Sequence, residues 1–428
     1  MKILEVLPTY PGDPLDGSAL HERQLNRALR ERDADIEVLT TRAQKLKDIG
    51  QFLLGWPDDL PARDEHGGVP IRRFHALNAQ RARKAAAEAV ARRWSWEDFT
   101  EGEVTAGSAR FVEFAVAQAR RRPSRFDTYA DIGRGPLVPG IVAHVLRHAS
   151  KFDVILAAYA PFSILRQVLW AASWSKAPVV LMPLLHENDR YHQFTSLMRT
   201  YERAAAVLTS SPHTSAFLSE YAPKANPVTV GVGAIARPSD NASAARFRVR
   251  HHLEDRPVLL YVGRKEFGKR YDLAVAAMEM LPDDAVLVMV GRDADGKTID
   301  SDRVLQLGPL SDEELADAYE ACDVFILPSE LESFGMVFLE AWLSAKPVIG
   351  NANCGAVAAL IDHGVDGFLC RDANGIAAAA RRLIEEPELG ARMGAAGRAK
   401  TLSEYTWERV ADRTLEALGS VARSGARA

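Results

Sequence analysis

Residues 321–344 read ACDVFILPSELESFGMVFLEAWLS, and this stretch passes from an apolar strand through an acidic loop into an apolar helix. The run Asp323–Leu327 predicts a strand, and the run Gly335–Ser344 predicts a helix. A short, continuously apolar strand is typical of a parallel sheet that is covered on both faces. Ligands bind such sheets at the carboxyl ends of the strands, so the loop between this strand and helix is expected to lie at a binding edge.

The same alternation of strand and helix extends in both directions from this stretch. In the C-terminal part of the chain, the other predicted strands are Val258–Val262, Ala285–Val290, Val304–Leu307, Pro347–Gly350 and Gly367–Cys370. In the N-terminal part, the predicted strands are Ile3–Leu7, Ile36–Thr40, Pro70–Phe74, Val154–Ala157, Pro178–Leu184, Ala206–Ser210 and Val228–Val230. A single core stops growing at roughly 250–300 residues, so a chain of 428 residues is expected to form two doubly wound α/β domains.

Composition sets the expected domain boundaries. We predict an N-terminal Rossmann-like domain over 1–232, with a helical insertion rich in Ala and Arg at about 78–125. A turn-rich linker is expected at 233–256, followed by a C-terminal Rossmann-like domain over 257–405. The last segment, 406–428, predicts a helix that packs back on the N-terminal domain.

Bulk composition excludes several classes of protein. The formal net charge of −4 argues against a nucleic-acid partner, which usually requires a basic surface. No run reaches the ~20 apolar residues of a membrane span, and Glu5 interrupts the first apolar run, so no signal peptide is expected. Cys322, Cys354 and Cys370 lack the spacing of a zinc site or a disulfide framework. We therefore expect a cytoplasmic protein with reduced thiols.

The acidic loop and the helix that follows it carry groups suited to a polar ligand. Glu332 and Glu340 are eight residues apart, which in a helix corresponds to roughly 12 Å along the axis. Carboxylates accept hydrogen bonds from pairs of hydroxyl groups, and a helix start offers N–H groups to an anion. Gly335 would let a ligand approach the backbone closely.

These features resemble the retaining family-4 glycosyltransferases, glycosyl transferases group 1, whose mark is Glu, seven residues and Glu with Phe-Gly after the first acid. The similarity extends over about 257–420 and more thinly into the N-terminal half. It includes YVGRKEFGK at 261–269, ACDVFILPS at 321–329, KPVI at 346–349, HGVDGFL at 363–369 and YTWE at 405–408. The resemblance implies the GT-B fold, in which two Rossmann-like domains face each other across a cleft, and a nucleoside-diphosphate sugar as donor.

The resemblance also implies roles for individual residues. Arg264 and Lys269 correspond to the cations that bind the donor diphosphate, and Arg270 stands where the family often has glycine. The implied catalytic residues are Glu332, Arg264, Lys269 and His186, and the implied donor-binding residues are Gly17, Arg264, Lys269, Glu332, Ser333, Phe334, Gly335, Met336, Val337 and Glu340. His186 would lie near the donor sugar, Glu340 would hold the ribose, and Gly17 would approach the donor phosphate or the acceptor.

The sequence therefore favours metal-independent, retaining transfer of a hexose-type sugar, with no cofactor and with UDP or GDP in the donor. The acceptor would be a hydroxyl of a glycan, a lipid-linked molecule or a small molecule. The alternatives are a GT-B nucleotide-sugar epimerase or hydrolase, and a non-catalytic nucleotide-sugar-binding protein. We do not interpret Asp293-Ala-Asp295 as a metal site, because the GT-B fold predicts none there. The basic stretch 81–94 is either a solvated helix face or a peripheral contact with the inner membrane surface, and the oligomeric state stays open.

Overall fold

The computed structural model describes residues 1–11, 17–43, 59–77, 135–187, 189, 192, 195–235 and 242–425. The chain divides into two compact units. The first comprises Met1–Gly231 together with Trp407–Ala428, and the second comprises Val232–Thr406. The predicted helical insertion at 78–125 lies outside the described residues.

The first unit is built on a sheet of eight strands in the order β3-β4-β2-β1-β5-β6-β7-β8. These strands are β1 Lys2–Val6, β2 Asp35–Thr41, β3 Arg63–His66, β4 Val69–Phe74, β5 Val154–Ala157, β6 Val179–Leu181, β7 Ala206–Thr209 and β8 Pro227–Thr229. The pairs are parallel except for the edge strand β3, which runs antiparallel to β4. The central strand β1 has Ile3 opposite Ile36 on one side and Val154 on the other. The order of strands therefore reverses between β1 and β5.

The second unit repeats this winding with a sheet of six parallel strands in the order β11-β10-β9-β12-β13-β14. These strands are β9 Val258–Val262, β10 Val286–Val290, β11 Val304–Leu307, β12 Val324–Leu327, β13 Val348–Asn351 and β14 Gly367–Cys370. Strand β12 is buried along its whole length, as its apolar sequence predicts. Here the order of strands reverses between β9 and β12.

Helices cover the sheets and bury their apolar sides. They are α1 Gly17–Arg30, α2 Pro139–His148, α3 Ile164–Ala172, α4 Thr195–Glu202, α5 Pro212–Tyr221, α6 Ala244–Arg250, α7 Tyr271–Met278, α8 Asp312–Ala321, α9 Met336–Leu343, α10 Gly355–Leu360, α11 Ala373–Glu385, α12 Pro387–Glu404 and α13 Trp407–Gly425. Local sequence explains where α8 begins, because Ser311 and Glu314 form a capping box at its N-terminus. Among the helices of the described residues, none is both long and apolar enough to cross a lipid bilayer.

The predicted fold class, two α/β units with doubly wound parallel sheets, is confirmed. The structure also contains elements that differ from or add to the sequence prediction. The predicted linker 233–256 contains α6, whose Phe247 belongs to the core of the second unit, so residues 242–256 are part of that unit. The hairpin strand β3 has four exposed polar residues and gave no apolar signal, and helix α2 had no prediction. The closing helix α13 contributes Val410 and Leu418 to the core of the first unit.

Candidate active site

The candidate site lies in the second unit where the order of strands reverses. Strands β9 and β12 are neighbours there, with Leu259 opposite Val324 and Leu260 opposite Phe325. The chain leaves β9 toward α7 and leaves β12 toward α9, so helices on the two sides of the reversal start from adjacent strands. A crevice at this point is the usual ligand site of doubly wound sheets.

Backbone contacts join the two loops into one structure. The carbonyl oxygen of Gly268 accepts hydrogen bonds from the backbone N–H groups of Glu330 at 3.0 Å and Leu331 at 3.1 Å. It also accepts one from the Ser329 hydroxyl at 3.1 Å. A Cβ atom at Gly268 would lie 2.7 Å from the Leu331 Cδ1 atom, so any larger residue at 268 would force the Leu331 side chain to shift.

Lys269 and Glu332 meet in this joined pair of loops. The Lys269 Nζ atom lies 2.5 Å from the Glu332 Oε1 atom, and their side chains are 16% and 10% exposed. The ammonium also donates to the Leu331 carbonyl oxygen at 3.4 Å. The structure thus brings together two predicted site residues that are 63 positions apart in the sequence.

Arg264 lies at the end of β9 in a more open position. Its side chain is 58% exposed, and its Nη2 atom lies 2.9 Å from the Glu266 Oε1 atom. The Tyr261 hydroxyl donates to the Arg264 carbonyl oxygen at 2.9 Å, which fixes the backbone while the long side chain extends outward. An exposed guanidinium on a fixed backbone can reorient toward an anion at little cost in packing.

The start of α9 combines a buried aromatic ring with an accessible helix end. Gly335 has a φ of +95°, and a Cβ atom there would lie 2.7 Å from the Phe338 ring. Phe334 is buried and its ring lies 5.4 Å from the Tyr405 ring. Three predicted donor-binding residues around this turn are partly exposed: Ser333, Met336 and Val337.

Glu340 faces inward on the same helix. It is only 4% exposed, and its Oε2 atom accepts a hydrogen bond from the Tyr319 hydroxyl at 2.9 Å. The buried aromatic hydroxyl on α8 was not predicted from the sequence, because the two residues meet only through the packing of α8 near α9. Tyr319 orients the carboxyl that the resemblance assigns to the ribose.

A second group of charged residues lies beside Arg264 and was also not predicted. The Lys265 Nζ atom is buried and lies 2.9 Å from Asp293 Oδ1 and 2.8 Å from Asp295 Oδ1. The Tyr271 hydroxyl donates to Asp295 at 2.7 Å. Burial raises the pKa of Asp295, but the hydrogen bonds from Lys265 and Tyr271 outweigh burial and lower that pKa to about 2. The two carboxylates of the Asp-x-Asp triplet therefore surround an ammonium group.

The first unit contains the remaining predicted site residues, His186 and Gly17. His186 follows β6, its backbone N–H donates to His192 Nδ1 at 3.3 Å, and the two rings are 5.2 Å apart. The adjacent Glu187 is buried and accepts a hydrogen bond from the Thr214 hydroxyl. Burial raises the pKa of Glu187 to about 7. Gly17 is exposed at the first position of α1.

Comparison with solved structures defines the class of fold. The protein superposes on a sucrose-phosphate synthase from Thermosynechococcus elongatus with a TM-score of 0.68 at 18% identity, covering 99% of this chain and 100% of that one. It superposes on HepE from Anabaena in complex with UDP-glucose with a TM-score of 0.67 at 19% identity, covering 98% and 100%. The two-unit architecture is therefore the GT-B fold, as the sequence predicts.

Sequence comparison shows which proteins the second unit is similar to. Residues 244–400 match the family described as glycosyl transferases group 1. The chain is 34% identical over 208 residues to a D-inositol 3-phosphate glycosyltransferase from Kineococcus radiotolerans, covering 42% of this chain and 47% of that one. It is 32% identical over 171 residues to a glycogen synthase from Mycobacterium tuberculosis, covering 37% and 41%. The matches span less than half the length of these relatives, and they confirm the resemblance that the motif around Glu332 predicts.

Proposed function

We propose that this protein is a glycosyltransferase that moves a hexose-type sugar from a nucleoside-diphosphate sugar to an acceptor hydroxyl. The observation that carries the proposal is the pairing of Lys269 with Glu332 where β9 and β12 reverse the strand order. Both residues lie inside the stretch that matches the group 1 glycosyltransferases. HepE, which shares the fold, binds UDP-glucose, and this supports UDP as the nucleotide, with GDP as the second candidate.

The ion pair suggests how the donor would be received. A diphosphate carries more negative charge than one carboxylate, so it competes with Glu332 for the Lys269 ammonium. Once Lys269 turns to the diphosphate, the Glu332 carboxylate can accept hydrogen bonds from sugar hydroxyls. Arg264 reaches the same diphosphate from its exposed position at the end of β9. Fixed cations there stabilise the charge that builds on the diphosphate as the glycosidic bond breaks.

The remaining predicted residues keep the roles that the resemblance implies. The N–H groups at the start of α9, with Gly335 as the close-approach position, orient the sugar and phosphate. Glu340 accepts hydrogen bonds from the ribose while Tyr319 holds the carboxyl in place. His186 and Gly17 act from the first unit, His186 on the sugar and Gly17 on the donor phosphate or the acceptor.

We further propose that transfer retains the configuration of the sugar and needs no metal. The departing phosphate would take the proton of the acceptor hydroxyl while that hydroxyl attacks the same face of the sugar. The Asp293 and Asp295 carboxylates both pair with the Lys265 ammonium, so a cation of the protein already occupies the place between them that a metal ion would take. The diphosphate charge is instead met by Arg264 and Lys269.

A donor panel tests this function. Purified protein is incubated with UDP-, GDP-, ADP- and dTDP-sugars, with and without EDTA, and the release of nucleoside diphosphate is followed. We expect EDTA-resistant release from one donor, and a loss of about 10²–10³ in rate in Lys269→Ala and Glu332→Ala. Glu416→Ala, an exposed acid on α13, is the control and should keep full rate.

The other outcomes distinguish the alternatives. Donor binding without release, even with pooled acceptors and with affinity intact in Glu332→Ala, would indicate a nucleotide-sugar-binding protein. Consumption of the donor that no acceptor accelerates would indicate an epimerase or hydrolase. Neither binding nor release with any donor would rule out the proposal.

A cytoplasmic location and peripheral contact with the membrane stay predictions. The basic stretch 81–94, for which the contact was predicted, lies outside the described residues. Another surface supports such a contact: Trp170, in the last turn of α3, and Trp174, in the turn that follows this helix, are 52% and 76% exposed. Between residues 139 and 176 the sequence has four basic residues, Arg147, Lys151, Arg166 and Lys176, and one acid, Asp153. Exposed tryptophans beside basic residues suit an anionic lipid surface.

A further inference from the structure

The turn between β9 and α7 contains an arginine in an unusual backbone conformation. Arg270 has a φ of 47° and a ψ of 41°, in the left-handed region that residues with a Cβ atom rarely adopt. It follows Lys269 directly and immediately precedes the first residue of α7. Backbone strain of this kind persists only where the surrounding structure holds the residue in place.

The side chain of Arg270 shows what holds it. Its Nη1 atom donates to the Glu330 carboxylate, and its Nε and Nη2 atoms each lie 3.0 Å from an oxygen of Asp272. The guanidinium also lies 6.0 Å from the centre of the Phe267 ring. The Arg270 side chain is 16% exposed and that of Glu330 only 6%, whereas Asp272 is 53% exposed. The buried pairing with Glu330 is thus the one shielded from solvent.

Glu330 belongs to the loop that carries the candidate catalytic carboxylate. It precedes Glu332 by two residues, and its backbone N–H donates to the Gly268 carbonyl oxygen at 3.0 Å. Burial raises the pKa of Glu330, and the charge of Arg270 opposes that rise. The Glu330 carboxyl therefore depends on Arg270 to remain ionised in this position.

We propose that Arg270 is a positioning residue that acts through Glu330 to hold Glu332 in its place opposite Lys269. Arg270 joins the turn 267–270, which carries Lys269, to the segment 329–332, which carries Glu332. A diphosphate would have to displace two carboxylates, Glu330 and Asp272, from the Arg270 guanidinium but only one from Lys269, so Arg270 supports the loops and leaves the diphosphate to Lys269 and Arg264. The inference rests on the proposed function and adds to it a residue that sets the geometry of the site.

The experiment is a double-mutant cycle of Arg270→Gly, Glu330→Gln and the double variant, read as kcat and KM for the donor found in the panel. Glycine at 270 relieves the left-handed strain, so this variant is expected to fold, which circular dichroism verifies. Each single variant should lower kcat about tenfold and change KM less than threefold, because the geometry of the reacting groups is lost while the donor contacts remain. The double variant should also lose about tenfold rather than about a hundredfold, since both changes break one connection.

Two matched variants separate positioning from a structural role. Glu254→Gly relieves the same backbone strain at an exposed residue that also has a φ of 47°, and it should leave kcat unchanged. Arg270→Lys keeps a cation for Glu330 and should recover part of the lost rate. A kcat of Arg270→Gly equal to that of Glu254→Gly would overturn the inference, and so would losses that multiply in the double variant.

The same variants show which proposal has failed if the wild-type protein releases no diphosphate. The transferase activity would then be rejected, and the role of Arg270 would be read on the coupling free energy between Lys269 and Glu332, from urea denaturation of Lys269→Met, Glu332→Gln and their double variant in the wild-type and Arg270→Gly backgrounds. A coupling that falls in the Arg270→Gly background would still support the positioning of Glu332 by Arg270. A coupling of equal size in both backgrounds would overturn it.

Discussion

At the residue scale, an unusual feature of the first unit is a pair of buried carboxyl groups. Glu5 on β1 and Glu22 on α1 are both fully buried, and Asn26 donates a hydrogen bond to Glu5. Burial raises the pKa of Glu22 to about 7. Burial also raises the pKa of Glu5, and the negative charge of Glu22 raises it further. Burial lowers the pKa of the adjacent His21 to about 4. The cluster is therefore expected to hold a proton in the folded state near neutral pH.

This cluster predicts a stability that falls as the pH rises from about 4.5 through neutrality. A carboxyl whose pKa is raised on folding contributes stability fully below its unfolded value near 4.5, and loses that contribution as the pH rises through the folded value. The contribution of this carboxyl to the free energy of unfolding should thus decrease between pH 6 and 8 by on the order of 1 kcal/mol. His21 has the opposite sign, so its contribution is lost as the pH falls from about 6.5 toward 4.

Urea denaturation at several pH values between 5.5 and 8.5 measures this dependence. Glu22→Gln should be more stable than the wild type at pH 8 and should show a smaller slope with pH. Glu416→Gln, an exposed acid on α13, serves as control and should keep the wild-type slope. Equal slopes in the wild type and Glu22→Gln would contradict the assignment of the proton to this pair.

At the element scale, the helix that carries the candidate site is supported by an unusually close neighbour. Helix α12 packs against α9, and a Cβ atom at Gly397 would overlap the ring of Trp342, which is fully buried. The Trp342 Nε1 atom donates to the Asp366 carbonyl oxygen at 2.9 Å, and the Lys400 Nζ atom lies 5.3 Å from the centre of its ring. The ring therefore has little room to shift.

We therefore expect Gly397→Ala to destabilise the second unit although alanine favours helices. Overpacking a core typically costs about 1–3 kcal/mol, more than the roughly 1 kcal/mol that alanine gains over glycine in a helix. Chemical denaturation followed by fluorescence measures the change. Gly419→Ala on α13 is the matched control, because its Cβ would approach only the flexible Arg423 side chain, and it should be neutral or stabilising. A Gly397→Ala variant as stable as Gly419→Ala would show that α12 can move away from α9.

The sequence predicts strands well where an apolar run is bounded by turn-forming residues. Strands β5, β9, β11 and β14 coincide residue for residue with the predicted runs, because their apolar residues and flanking turns mark both ends. Strand β3 could not be predicted, since its stability comes from pairing with β4 and its four side chains are all exposed. Helix α6 was assigned to a linker because the segment opens with turn-forming residues, although Phe247 anchors it in the core.

The site was predictable only where a motif is local in sequence. The spacing from Glu332 to Glu340 and the basic residues after β9 identified the loops, and the structure places Lys269 against Glu332. The supporting contacts were not predictable, because Arg270 meets Glu330 across 60 positions and Tyr319 meets Glu340 across 21. Such pairs form only once the sheet has determined which strands are neighbours. The pattern of apolar and polar residues along the chain does not determine the order of the strands.

At the scale of the whole molecule, two units with the same strand winding differ in what their surfaces offer. The second unit contains the family match and the joined loops of the candidate site. The first unit contains the chain start and the closing helix α13, and it exposes Trp170 and Trp174. The formal net charge of the chain is −4, so the excess of basic residues between 139 and 176 is a local property of the sequence and not a reflection of overall charge.

This local surface gives a prediction for the intact chain. We expect the protein to co-sediment with vesicles of phosphatidylcholine and phosphatidylglycerol more than with phosphatidylcholine alone, and less so as salt is raised. Trp170→Ala/Trp174→Ala should reduce the bound fraction several-fold, because tryptophan rings anchor at the lipid–water interface while basic residues supply the attraction. The nucleoside-diphosphate affinity of the variant should be unchanged, since both residues lie in the other unit from Lys269 and Glu332.

A control variant and a competing outcome test the assignment of this surface to the membrane. Val249→Ala in α6 removes a side chain that is 77% exposed in the second unit, and it should leave vesicle binding as it is. Equal binding to neutral and anionic vesicles would contradict the charge argument. A wild-type protein that dimerises in light scattering, and a double variant that becomes monomeric, would instead assign the surface to contact between two copies of the chain. Binding that requires both the tryptophans and anionic lipid would favour a lipid-linked acceptor over a free sugar, because a protein held at the membrane meets acceptors that are confined there.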